Sequence, residues 1–271
     1  MHNAAGALED GGDNNMTDNR VWLPAAWVVR FFALAIAFLA VAHLVMQSVR
    51  HHAGLNEVYG LVRLFDMGVE ANLPTFFSTF QLLLASLLLT VIGVVRRREG
   101  DARASQWLLL GLIFLLLAVD EGAEIHELSV RPFRDFAPWL ATGIFYWAWV
   151  LPAMVLVTYV AWRYAGFVFN YLPPDTRRHT VLGAALFLSG AVGVEMPEAR
   201  YVEQHGMDNF VYGMFVLVEE VLEMIGVLVF LTGVMKYCNR HLGVVHFEVS
   251  STTVEARKPA APFLDSQRPA T

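Results

Sequence analysis

The chain has 271 residues, 56% of them hydrophobic and 16% charged, with a formal net charge of -6. Soluble domains carry about 25% charged residues, so the deficit points to lipid as the solvent, and the acidic balance excludes a nucleic-acid surface. The single cysteine, Cys238, excludes an internal disulfide and a Cys-based zinc site, and neither lysine, Lys236 nor Lys258, lies deep in an apolar run, which argues against a retinal Schiff base.

Residues 1–20 are Gly-, Asn- and Asp-rich and have neither the basic nor the apolar region of a signal peptide, which predicts a disordered tail. A membrane domain follows over 21–242, and a second polar, proline-containing tail occupies 243–271. Crossing a hydrocarbon core of about 30 Å takes about 20 apolar residues. Segments 24–48, 74–95, 106–128, 140–163, 180–201 and 210–236 meet or approach that length. The predicted fold is therefore all-α, a polytopic membrane bundle of about six transmembrane helices.

Between the first two spans, the half-apolar stretch around residues 55–74 is too short to cross and reads as an interfacial or re-entrant piece. Asn72 ahead of Pro74 marks the start of the second span. Arg96, Arg97, Arg98 and Arg103 join spans two and three; Arg163, Arg177 and Arg178 join spans four and five; Lys236 and Arg240 follow span six. With six spans these fall on one side, which predicts cytoplasmic termini, against a weaker opposing set of Arg50, Arg63, Arg131 and Arg134.

Three spans carry acidic motifs: DEGAEIHE at 120–127, EMPE at 195–198 and EEVLE at 219–223. The candidate ligands are Asp120, Glu121, Glu124, Glu127, Glu195, Glu198, Glu219, Glu220 and Glu223. An acid near a helix centre costs about 2.5 kcal/mol or more to insert, so such a concentration is not filler. Rise per residue puts all three motifs in the outer half of the membrane. On a regular helix Asp120, Glu124 and Glu127 share a face, and Pro197 frees a carbonyl near Gly193. Ala185, Ser189 and Gly193 form a small-residue stripe.

These acids have almost no embedded basic partner, so they must hold protons, line water or bind cations. Carboxylates suit hard divalent cations and, with imidazole, iron or manganese. Inward-facing glutamates on several helices also match di-metal carboxylate bundles in part, although the Glu-x-x-His element is missing from the acidic motifs. His43 and His126 are the candidate nitrogen ligands; on a regular helix His126 points about 140° away from Asp120 and Glu124. Asp66 and Glu70 read most simply as solvated, with a lid over the cluster as the sharper alternative. Trp139, Phe145, Tyr146, Trp147 and Trp149 read as an interfacial aromatic belt or, less simply, a substrate wall.

The strings AVDEGAEIHEL and VEEVLEMIGVLVFL resemble motifs of an uncharacterised family of small polytopic bacterial membrane proteins with DExxxxHE-like and EExxE patterns, over spans three to six. The resemblance implies a bacterial inner membrane location and no particular activity.

The leading expectation is a membrane metal-binding protein, with about two divalent ions of unspecified identity serving a redox enzyme or hydrolase on a lipid-soluble substrate. No individual catalytic residue and no organic cofactor site stands out. The alternatives are a cation- or proton-coupled transporter and an accessory subunit of a membrane complex. No Walker loop, dinucleotide motif or Ser/His/Asp arrangement is present.

Overall fold

The structure is a computed structural model and describes residues 25–242; the tails expected at 1–20 and 243–271 lie outside the described residues, as do 21–24. Among the described residues the chain is all-helical, without strands. In order come α1 (Ala25–His52), short α2 (Leu61–Phe65), α3 (Leu73–Arg98), α4 (Ala104–Ala123), short α5 (Val130–Phe136), α6 (Val150–Asn170), α7 (Pro174–Leu188), α8 (Glu195–His205) and α9 (Phe210–His241). A π-helical segment, Ser189–Val194, joins α7 to α8, so that Pro174–His205 runs as one rod.

Five of these elements, α1, α3, α4, α6 and the α7–α8 rod, are long and apolar enough to cross a membrane. The sixth expected span, α9, is long as well, at 32 residues, but carries Glu219, Glu220 and Glu223. It can accept those acids because it is the central helix: α1, α3, α7, the π segment and α8 all pack on it. Trp107, Phe167, Leu231, Val234 and Tyr237 belong to one apolar cluster around its C-terminal half. Phe32, Ile36, Met67, Val216 and Met224 belong to a second, nearer its start.

Lipid tails are as apolar as these side chains, so helix association rests on close contact. On α7 and α9 that contact is made by glycine. A Cβ on Gly226 would stand 2.5 Å from the Phe187 nitrogen, and one on Gly183 would stand 2.7 Å from the Gly226 carbonyl oxygen. Gly190 and Gly233 continue the same two stripes. The expected stripe of Ala185, Ser189 and Gly193 is on the exposed side of the rod instead. Both stripes have small residues; which one faces α9 is set by the partner surface.

At one end the α3–α4 loop, the α6–α7 loop and the last turns of α9 are tied together. Tyr171 donates to Asp101, Arg240 pairs with Asp175, and the Arg96 Nε donates to the Tyr237 hydroxyl at 2.9 Å. The basic loops singled out in the sequence thus share one end of the bundle. At the other end α3 begins as expected, with Asn72 accepting from the Thr75 N–H at 3.1 Å and Pro74 in the first turn.

Two spans depart from expectation near that second end. The third was expected over 106–128, but α4 stops at Ala123, and Glu124 takes a left-handed conformation with φ of 50°. The fourth was expected from 140, but α6 starts at Val150, with Pro152 in its first turn. Pro138 and a left-handed Gly143 lie in the connection ahead of it. The aromatic stretch 139–149 is therefore a non-helical bridge, broken only by the 3-10 turn Gly143–Phe145.

Candidate acidic site

The π segment places the first two acids. The Glu195 N–H reaches back to the Gly190 carbonyl, five residues earlier, so the rod gains an extra residue just before α8. Gly190 presses on α9: an added Cβ there would stand 2.7 Å from the Glu219 carbonyl oxygen and 2.9 Å from the Glu223 Cγ. Pro197, in the first turn of α8, needs no intrahelical partner for a backbone donor. The outcome is that Glu195, Glu198 and Glu219 each offer one oxygen, all within 4.8 Å of one another. Among the described residues they are the one such group of three or more metal-ligating side chains.

Glu195 and Glu198 are 8% and 4% exposed, and Glu219 is half-buried. The Trp149 indole N–H donates to Glu195 Oε1 at 3.1 Å. Glu219 faces both Glu195 and Glu198 from α9, one oxygen of each of the three lying within 4.8 Å of the others. Carboxylates this close repel unless protons or a cation lie between them. Glu198 Oε2 is fully buried with no hydrogen-bond partner. Among the described residues no arginine or lysine forms an ion pair with any of the three.

A row of further acids extends from this triad. Glu220 interacts electrostatically with Glu121, Glu223, Glu70 and Glu198, and Glu223 with Glu121, Glu195 and Asp120. The Ser78 hydroxyl donates to Glu121 Oε1. Glu70 joins the row from the α2–α3 turn, where burial and the charge of Glu121 push its carboxyl up to about 7 against a hydrogen bond from Thr75. The row thus meets from α4, α8 and α9, although no second group of three comes within ligating distance among the described residues.

The residues around 120–127 are arranged differently from a regular helix. Because α4 ends at Ala123, the chain folds back, and Asp120 takes the His126 backbone N–H at 2.8 Å on one oxygen and approaches its Nδ1 at 3.1 Å with the other. His126 was expected to point away from Asp120; the left-handed Glu124 turn brings it back. Burial opposes protonation of His126, but the hydrogen bond and charge of Asp120 outweigh it and raise the imidazole above its ordinary value. Its ring lies 4.8 Å from that of Trp149. Glu124 and Glu127 leave the helical face they were expected to share with Asp120 and sit in the turn and the 3-10 segment His126–Ser129.

His43, the other candidate nitrogen ligand, is fully buried and has both nitrogens engaged. Its Nδ1 accepts from the Met67 N–H at 2.9 Å, so Nε2 carries the proton and donates to the Gly213 carbonyl at 2.9 Å. No lone pair remains for a metal, and the residue is a structural pin between α1, the turn after α2, and α9. Asp66 is likewise committed, accepting from Gln47 and the Gly68 N–H with Arg50 at 3.5 Å, which leaves Glu70 alone facing the acids.

Sequence reasoning missed the part played by Trp149 and Ser78. The tryptophan matches an interfacial belt by position, and nothing in the sequence predicts that residues 139–149 leave the helix. A signal existed for Ser78, since Ser78, Gln81, Ala85 and Ser86 all fall on the buried face of α3.

The family model that matches, over residues 27–238, is described as Domain of unknown function (DUF8692). No curated protein and no solved structure matches the chain.

Proposed function

The chain belongs to the DUF8692 family, and we propose that it is an integral membrane protein that binds a divalent cation between Glu195, Glu198 and Glu219. The observation that carries this reading is a set of three carboxylates within 4.8 Å of one another, one of whose oxygens is fully buried and unpartnered. Two oxygens on opposite sides of a cation at about 2.1–2.4 Å each are separated by about that distance. The donors are all oxygen, which favours magnesium, manganese or calcium over metals that prefer nitrogen or sulfur. One ion per chain follows from one ligand group, in place of the two expected from the number of acids.

A bound ion beside Glu220 and Glu223 equips the site for a metal-dependent reaction on a lipid-soluble substrate, with the ion as Lewis acid and a spare carboxylate as proton acceptor. A second reading, transport of the cation, is favoured by the broken α4 and the π segment, since ion sites in transporters are built where helices are interrupted. The basic loops at one end support cytoplasmic termini, and with them an outer-half site in a bacterial inner membrane.

Elemental analysis of detergent-purified protein tests the binding. We expect about one divalent ion per chain, and terbium luminescence sensitised through the adjacent tryptophan. Glu219→Gln should weaken both by at least about tenfold. Protein without stoichiometric metal, whose melting temperature no divalent ion raises, would rule the reading out. Cation flux in liposomes then separates transport from catalysis.

A further inference from the structure

Taking the triad as a cation site, we infer that the Trp149 indole makes it selective for small six-coordinate cations, manganese or magnesium, over calcium. Three carboxylates hold six oxygens. Glu198 Oε2 is buried and unpartnered. Trp149 takes up Glu195 Oε1 at 3.1 Å. Glu195 therefore presents one free oxygen, and the triad offers at most five.

Calcium takes 6–8 oxygen ligands at about 2.3–2.6 Å, often through two-oxygen carboxylate contacts. Magnesium accepts single-oxygen contacts at about 2.0–2.1 Å and completes an octahedron with retained water. An indole N–H on the second oxygen blocks the calcium mode and costs the smaller ion nothing. Trp149 is a positioning residue, and the bridge that carries it is held by its surroundings. Trp149 packs on His126 at 4.8 Å, the Arg134 guanidinium lies over the Tyr146 and Trp147 rings, and Arg134 donates to the Tyr146 carbonyl at 2.8 Å.

The experiment measures manganese and calcium dissociation constants for detergent-purified wild type, Trp149→Phe and Trp162→Phe. The first substitution keeps an aromatic ring against His126 and removes the N–H; Trp162 lies on the exposed face of α6 and is 74% exposed. Wild type should bind manganese at least tenfold more tightly than calcium. Trp149→Phe should shrink that ratio by about tenfold, the usual scale for losing an outer hydrogen bond to a ligand, and Trp162→Phe should leave it unchanged. Carboxylate stretching frequencies of the wild-type manganese form, which do not depend on any variant folding, should report single-oxygen coordination. A wild type that prefers calcium, two-oxygen coordination, or an unchanged ratio in folded Trp149→Phe would overturn the inference while leaving cation binding in place. Binding of neither cation would overturn both.

Discussion

Gly190→Ala tests the geometric link between the π segment and the acidic triad. The added methyl would stand 2.7 Å from the Glu219 carbonyl oxygen and 2.9 Å from the Glu223 Cγ. The Glu219 contact is backbone, so no rotamer change can relieve it. Reaching ordinary contact requires the rod and α9 to part by about 0.7 Å. Overpacking of that kind costs about 1–3 kcal/mol, whereas exchanging glycine for alanine in a helix returns about 0.5–1 kcal/mol. The overpacking term wins, and a net loss of about 1–2 kcal/mol is expected. Because Glu195 and Glu198 stand on the rod and Glu219 on α9, the same displacement spreads the ligand group and should lower manganese affinity. The assay is thermal unfolding in detergent with and without manganese. Gly193→Ala is the control: it lies on the same segment, and its nearest neighbours are at an ordinary 3.8 Å. Equal stability and equal manganese affinity for the two variants would refute the reasoning.

Two further outcomes are expected. His43→Ala should cost at least about 2 kcal/mol, because it orphans the buried Met67 N–H and opens a cavity, yet leave cation content unchanged. Loss of metal from a folded His43→Ala protein would contradict its role as a pin. At the basic end, the hydrogen bond from Tyr171 is the main reason the Asp101 carboxyl sits below its ordinary 3.8, opposed by burial and aided by the Arg103 N–H. Since the folded value is the lower one, this stabilisation is complete above about pH 4 and is lost as pH falls through the folded value. Tyr171→Phe should therefore lower the melting temperature at pH 7 and flatten its fall in acid; an unaltered acid limb in the melting profile would count against it.

The membrane class, the long apolar helices and the acidic motifs follow from the sequence alone, because lipid imposes a length and a composition on any helix that crosses it. Asn72 and Pro74 mark a helix start for equally local reasons, through hydrogen bonds within one turn. The site was legible only as a set of candidates. Which acids meet depended on the π segment that turns Glu195 and Glu198 toward Glu219, and on Gly190, rather than Gly193, being the glycine against α9. The left-handed turn at Glu124 then carried His126 back to Asp120, reversing a facing deduced from an unbroken helix. His43 was equally ambiguous, since its partners Met67 and Gly213 are 24 and 170 residues away in the chain. Helical periodicity is a property of neighbours within a few residues. Ligand sets, pins and breaks in a helix are settled by contacts between distant segments, and those exist only once the bundle has packed.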